Sequence, residues 1–115
     1  YSDQVRQRIE PGFHIPASRY LEALHLRAHY LEEIMGDAFQ EADVLHAPVL
    51  SMPVPTIAET DVKGAADMPE VIGSIIRCTL PVSYLGLPAL SVPAGFTSNG
   101  LPSSFQLIGR PFSEA

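Results

Sequence analysis

Residues 87–109 read Leu87-Pro-Ala-Leu-Ser-Val-Pro-Ala-Gly95-Phe-Thr-Ser-Asn99-Gly100-Leu-Pro-Ser-Ser-Phe-Gln-Leu-Ile-Gly109. Two apolar runs, each closed by a glycine, flank Asn99-Gly100, the dipeptide that most strongly favours a tight hairpin turn. The stretch therefore predicts two strands joined as a C-terminal hairpin. Ser103 and Ser104 fall in the second strand, where a period of two turns one to each side. They are read as structural residues, not as a nucleophile pair.

Upstream of the hairpin, Pro69 suits the first position of a short helix. That helix runs to about Thr79 with Val71, Ile72, Ile75 and Ile76 apolar, and Pro81 is read as its end. The segment from Thr56 to Met68 carries Glu59, Asp61, Lys63 and Asp67 without a period and reads as a surface loop. Before it, Asp43-Val-Leu-His-Ala-Pro-Val-Leu50 is a short apolar run following a helix. Such a run predicts a buried strand, parallel by preference because the helix supplies the crossover. His46 within it reads as a core histidine, and Pro48, Pro53 and Pro55 then force an extended loop.

From Ala17 to about Ala42, Leu21, Leu24, Ala28, Leu31, Met35, Ala38 and Ala42 recur at spacings of three and four, the helical period. Ser18 or the residue before it is the expected N-cap, with Glu22 in the first turn. One helix of about 25 residues would be about 37 Å long, too long for an ordinary domain of this size. Residues 1–10, with Val5 and Ile9 four apart, read as the last turns of a helix begun upstream and stopped by Pro11-Gly12. The order helix, strand, helix, strand, strand predicts an α/β fold: a mixed sheet with flanking helices, a long helix, buried strands and the hairpin.

Composition adds a constraint. The chain has 115 residues, 46% hydrophobic and only 17% charged. A soluble domain normally carries about 25% charged residues, so either an apolar surface meets something or the chain belongs to a larger body. The apolar content excludes disorder despite 11 prolines. A net charge of −6, with no basic run, excludes an electrostatic footprint for nucleic acid or an anionic membrane. No apolar run approaches the ~18 residues of a membrane span, and Tyr1 to Glu10 is too polar for a signal peptide. Cys78 is the sole cysteine and cannot form an internal disulfide, which suits a reducing compartment and predicts a cytoplasmic protein.

Few side chains suggest chemistry on their own. His25 and His29 share a helix face, but position 26 is Leu, so the Glu of a metalloprotease motif is missing. No metal or other cofactor is expected. No serine sits in a Gly-x-Ser-x-Gly elbow, Lys63 lies in an acidic loop, and Glu32 and Glu33 point about 100° apart on their helix. By themselves the residues offer no catalytic constellation.

Their order offers more. The segments Asp43-Val-Leu-His-Ala-Pro, Ser83-Tyr-Leu-Gly-Leu-Pro-Ala-Leu-Ser-Val-Pro-Ala-Gly95 and Gly100-Leu-Pro-Ser-Ser-Phe-Gln-Leu-Ile-Gly109 resemble the C-terminal portion of amidase signature enzymes, including the A-subunits of glutamyl-tRNA amidotransferases. The spacing of Gly86, Pro88, Pro93, Gly95, Gly100, Pro102, Gln106 and Gly109 carries the resemblance. Ser83 stands where the family pattern has Asn, and Ser104 where it has a second Gly. The resemblance implies a single C-terminal fragment, residues 1–115, of a chain several times longer. It also implies hydrolysis of carboxamide C–N bonds by a Ser, cis-Ser, Lys triad located upstream, with no catalytic residue in this segment. Thr79, Leu80 and Val82 correspond to a stretch that approaches the substrate pocket in related enzymes. The implied partners are the N-terminal remainder of the same enzyme and a small amide substrate. An exposed sheet edge would also permit pairing of two copies, so a homodimer is a further expectation. The rival reading is a free-standing, non-catalytic interaction module with an apolar face for a partner.

Overall fold

A computed structural model describes residues 1–61 and 68–114. The first helix, α1, is Asp3–Ile9, and the Ser2 hydroxyl accepts from the Val5 N–H at 3.4 Å. Ser2 thus acts as an N-cap for α1. The α-helix does stop just before Pro11-Gly12, as expected, and the chain continues not into a simple turn but into a 3-10 segment, Glu10–His14, with Pro11 in its first turn.

The long helix is real but shorter than its periodicity suggests. Helix α2 spans Ala17–Gly36, 20 residues, and a separate turn of helix, α3, spans Ala38–Glu41. The N-cap of α2 is Pro16, in extended conformation, and not Ser18 or its neighbour. The break falls at Asp37, with φ −113° and ψ −84°, directly after Gly36, where the backbone is least restricted. The change of direction carries Phe39 into the core, where it is 2% exposed. Arg110, far along the chain, then donates its guanidinium N–H groups to the carbonyl oxygens of Phe39 and Ala42. Those are orphan acceptors at the end of α3, and Arg110 satisfies them.

Three strands form one sheet in the order β1-β3-β2, where β1 is Leu45–Pro48, β2 is Ala89–Phe96 and β3 is Pro102–Ile108. The expected hairpin is β2 and β3. Its tip is closed by Thr97 N–H donating to the Leu101 carbonyl at 2.8 Å, with Gly100 at φ +76°. A bulge between Pro93 and Gly95 accommodates a proline that cannot donate to the ladder. β1 pairs with β3 antiparallel, which corrects the parallel preference. The preceding helix does not act as a crossover between neighbouring parallel strands, because β1's partner comes about 60 residues later and runs back along it.

Between β1 and β2 lie α4, Met68–Ile76, and α5, Leu80–Leu85. Pro81 does not end a helix; it occupies the first turn of α5, where a missing N–H costs nothing. Within the segment expected to be an irregular loop, Ala58–Thr60 forms a 3-10 turn. Thr56 and Glu59 bond reciprocally there, with the Thr56 N–H and hydroxyl both donating to Glu59 Oε2 at 2.7 Å. The backbone bond from Thr56, and then its hydroxyl, hold the Glu59 carboxyl below the usual range. Lys63 and Asp67 of that loop lie outside the described residues.

The strand register sorts the sheet into two faces. Leu45, Ile108 and Ala89 form one cross-strand row and Ala47, Gln106 and Ser91 the next row on the same face. Phe39, Val82, Leu85, Leu87 and Ile108 are buried over this face, with Leu31, Ile34, Met35 and Tyr84 packed against them. The opposite face carries His46, Leu107 and Leu90 in one row and Pro48, Phe105 and Val92 in the next. It is nearly as apolar, yet Leu90 is 65% exposed. His46 is exposed on it, its ring 4.5 Å from that of Phe105, so it is not the core histidine expected.

An antiparallel sheet with one wet face alternates apolar and polar residues; apolar residues on both faces call for a layer on each side. The bulk dimensions agree. The accessible surface is 8742 Å², against about 6,200 Å² for a compact monomer of this mass. The radius of gyration is 16.9 Å, against about 13 Å for a folded domain of this length.

Helix α5 ends in a left-handed residue, Gly86, at φ +72°. Its N–H and that of Leu87 both return to the Val82 carbonyl, at 3.0 and 3.1 Å. A Cβ built there would lie 2.5 Å from Arg27 Nη2, the flexible end of a side chain on α2. Gly86→Ala is therefore expected to cost about 1–2 kcal/mol from backbone strain. Because Arg27 can swing away, most of that loss should persist in an Arg27→Ala background, as thermal unfolding of the two variants would show.

Candidate functional site

The first face of the sheet does not fill completely. Between it and α5 lies a cleft of about 350 Å³ lined by Val49, Thr79, Val82, Ser83, Leu87, Ala89, Ser91 and Gln106. That volume is at the small end of ligand sites. Each wall has a local cause. Ser91 and Gln106 face each other across β2 and β3, and Ala89, two residues before Ser91, shares their side. Val82 and Ser83 come from α5, which Tyr84 fixes to α2 by donating its hydroxyl to the Ala23 carbonyl. Thr79 precedes α5, and both its N–H and hydroxyl donate to the Ile76 carbonyl, at 3.1 and 3.3 Å.

Two of the three residues named from sequence, Thr79 and Val82, thus share the cleft, while Leu80 is 57% exposed and is not among its lining residues. Within the first turn of α5, Val82 turns inward and Leu80 outward. Ser83, at the position of the family pattern's Asn, also lines the cleft. Ser103 and Ser104 border a different and smaller recess of about 80 Å³ with Thr97 and Pro102.

The residue that sequence reasoning passed over is Gln106. It is 4% exposed, the one buried polar side chain among the described residues. Its Nε2 donates to the Pro48 carbonyl at 3.1 Å and to the Cys78 carbonyl at 2.9 Å. The available signal was a polar residue at an inward position of an apolar strand, Phe105-Gln106-Leu107-Ile108.

The lining is half apolar and half neutral polar: three hydroxyls and an amide, with no ionisable side chain among the residues that form it. A serine hydroxyl needs an adjacent base to act as a nucleophile, and neither Ser83 nor Ser91 has one in this lining. The arrangement can hold and orient an uncharged group by shape and hydrogen bonds. Among the described residues no three His, Cys, Asp or Glu side chains cluster as a metal site. No helix among them is long and apolar enough to cross a membrane.

Comparison with known proteins gives concordant matches. The family model described as Amidase matches residues 1–115. The A-subunit of a glutamyl-tRNA(Gln) amidotransferase from Bartonella bacilliformis is 34% identical over 119 residues, covering 99% of this chain and 24% of that protein. A fatty acid amide hydrolase from Medicago truncatula is 41% identical over 103 residues, covering 86% of this chain and 16% of that one. Among solved structures, a variant of Kluyveromyces lactis allophanate hydrolase superposes with a TM-score of 0.75 at 27% identity, over 94% of this chain and 17% of that chain. This chain spans about a quarter or less of the length of each.

Proposed function

Since the chain belongs to the amidase family, whose model it matches along its whole length, we propose that it is the C-terminal part of a cytoplasmic enzyme hydrolysing carboxamide C–N bonds. The observation that carries this reading is the full-length family match combined with coverage of only 24% of a relative. The open apolar sheet face supports it, because a larger body would supply the missing layer. In this reading the nucleophile and its base come from the remainder of the polypeptide. This segment contributes packing and one wall of the substrate site, with Thr79, Val82 and Ser83 facing substrate. Leu80, exposed on the outer side of α5, faces the remainder.

The neutral lining of the cleft favours a substrate that presents an uncharged group to this wall. The test is release of ammonia or amine by the intact polypeptide from a panel of aliphatic amides, aryl amides, a urea derivative and glutamine. Turnover of at least one uncharged amide is expected. Failure on the whole panel by folded, full-length protein would overturn the reading.

A further inference from the structure

Gln106 holds a position that its chemistry makes restrictive. Both of its partners are carbonyl oxygens, so only the amide NH2 can face them, and its two donors meet two acceptors. The two carbonyls are about 30 residues apart in sequence, Pro48 at the end of β1 and Cys78 at the junction before α5. Each is followed directly by a lining residue of the cleft, Val49 after Pro48 and Thr79 after Cys78. Gln106 lines the cleft as well, so one side chain touches the floor and ties both sides. Leaving the part-buried carbonyls of Pro48 and Cys78 without their donor costs stability, and water or a wider gap would follow the loss of the amide.

We propose that Gln106 is a positioning residue: it sets the spacing between the β1 end and the α5 start, and thereby the size of uncharged substrate group the cleft admits. The second half of this statement rests on the amidase reading; the first half does not. Gln106→Met keeps the length and removes both donors. Gln106→Glu keeps the shape and, when ionised, turns an acceptor toward two acceptors, whereas its protonated form regains one donor.

The experiment has two arms on the intact protein. Hydrogen exchange should accelerate roughly tenfold or more in residues 47–50 and 77–80 of Gln106→Met, while the hairpin tip at 97–101 keeps its rate. In the kinetic arm, the wider gap should move the size preference toward larger groups: KM for the smallest amide should rise roughly tenfold relative to that for amides with a bulky uncharged substituent, with kcat held in both. If Gln106→Met does not fold, Gln106→Glu carries both arms, and its KM defect should shrink as pH falls and the carboxyl protonates. Unaltered exchange in both segments, or acceleration spread evenly over the chain, would overturn the strut. Localised acceleration with a uniform loss of turnover on all amides would overturn the size-setting role. Localised acceleration in a protein whose wild type cleaves no amide would uphold the strut and overturn the enzymatic reading.

Discussion

Leu90→Asp is expected to destabilise the intact protein by about 3–5 kcal/mol, the cost of an uncompensated buried charge. Judged from residues 1–115 alone, the change should be nearly silent, because Leu90 is 65% exposed and surface substitutions usually stay within about 0.5 kcal/mol. The two expectations differ because of the sheet's second face. Leu90 lies in a row with Leu107 and His46, next to a row of Val92, Phe105 and Pro48. These side chains include no carboxylate and no Lys or Arg, which is the pattern of a surface that meets another layer. If the remainder of the polypeptide covers that face, an aspartate there loses its water, and these rows of the sheet offer it no Lys or Arg. Leu90→Met, which keeps volume and polarity, should cost less than about 1.5 kcal/mol and separates charge burial from shape. Denaturant unfolding of both variants in the full-length protein reads the difference directly.

Local chemistry made much of this fold legible from sequence. Asn99-Gly100 marked the hairpin tip, because the turn type depends on residues within the turn itself. The three-and-four spacing of Leu21, Leu24, Ala28 and Leu31 marked the body of α2. What stayed hidden depends on partners far along the chain. The break at Asp37 places Phe39 in the core, and the carbonyls it frees are satisfied by Arg110, 71 residues from Phe39. Nothing near residue 37 announces that donor. Pro81 reads equally well as a helix stop or as a first-turn residue, and the choice was settled by α5 having a sheet to pack on.

The antiparallel partner of β1 was hidden for a similar reason. A helix before a strand suggests a crossover, but register depends on which later strand comes alongside. The site was legible in part. Thr79 and Val82 came from the family resemblance, not from spacing, and they share the cleft, whereas their neighbour Leu80 turns outward. Gln106 stood in the family pattern without a role, since its importance appears only when both accepting carbonyls are known to converge on it.

On the reading proposed above, residues 1–115 do not bury enough of themselves to stand as an independent domain. Among the described residues, five hydrophobic side chains are buried, whereas 18 large hydrophobic residues are exposed. Surface beyond the compact expectation by about 2,500 Å² would, if apolar, forgo tens of kcal/mol of burial, several times the usual net stability of about 5–15 kcal/mol. Calorimetry of the chain by itself measures this most directly. No cooperative unfolding peak is expected, because the small core does not offset the entropy of ordering the chain. A sharp two-state transition with an enthalpy near ~0.7 kcal/mol per residue, as for complete small domains, would contradict this.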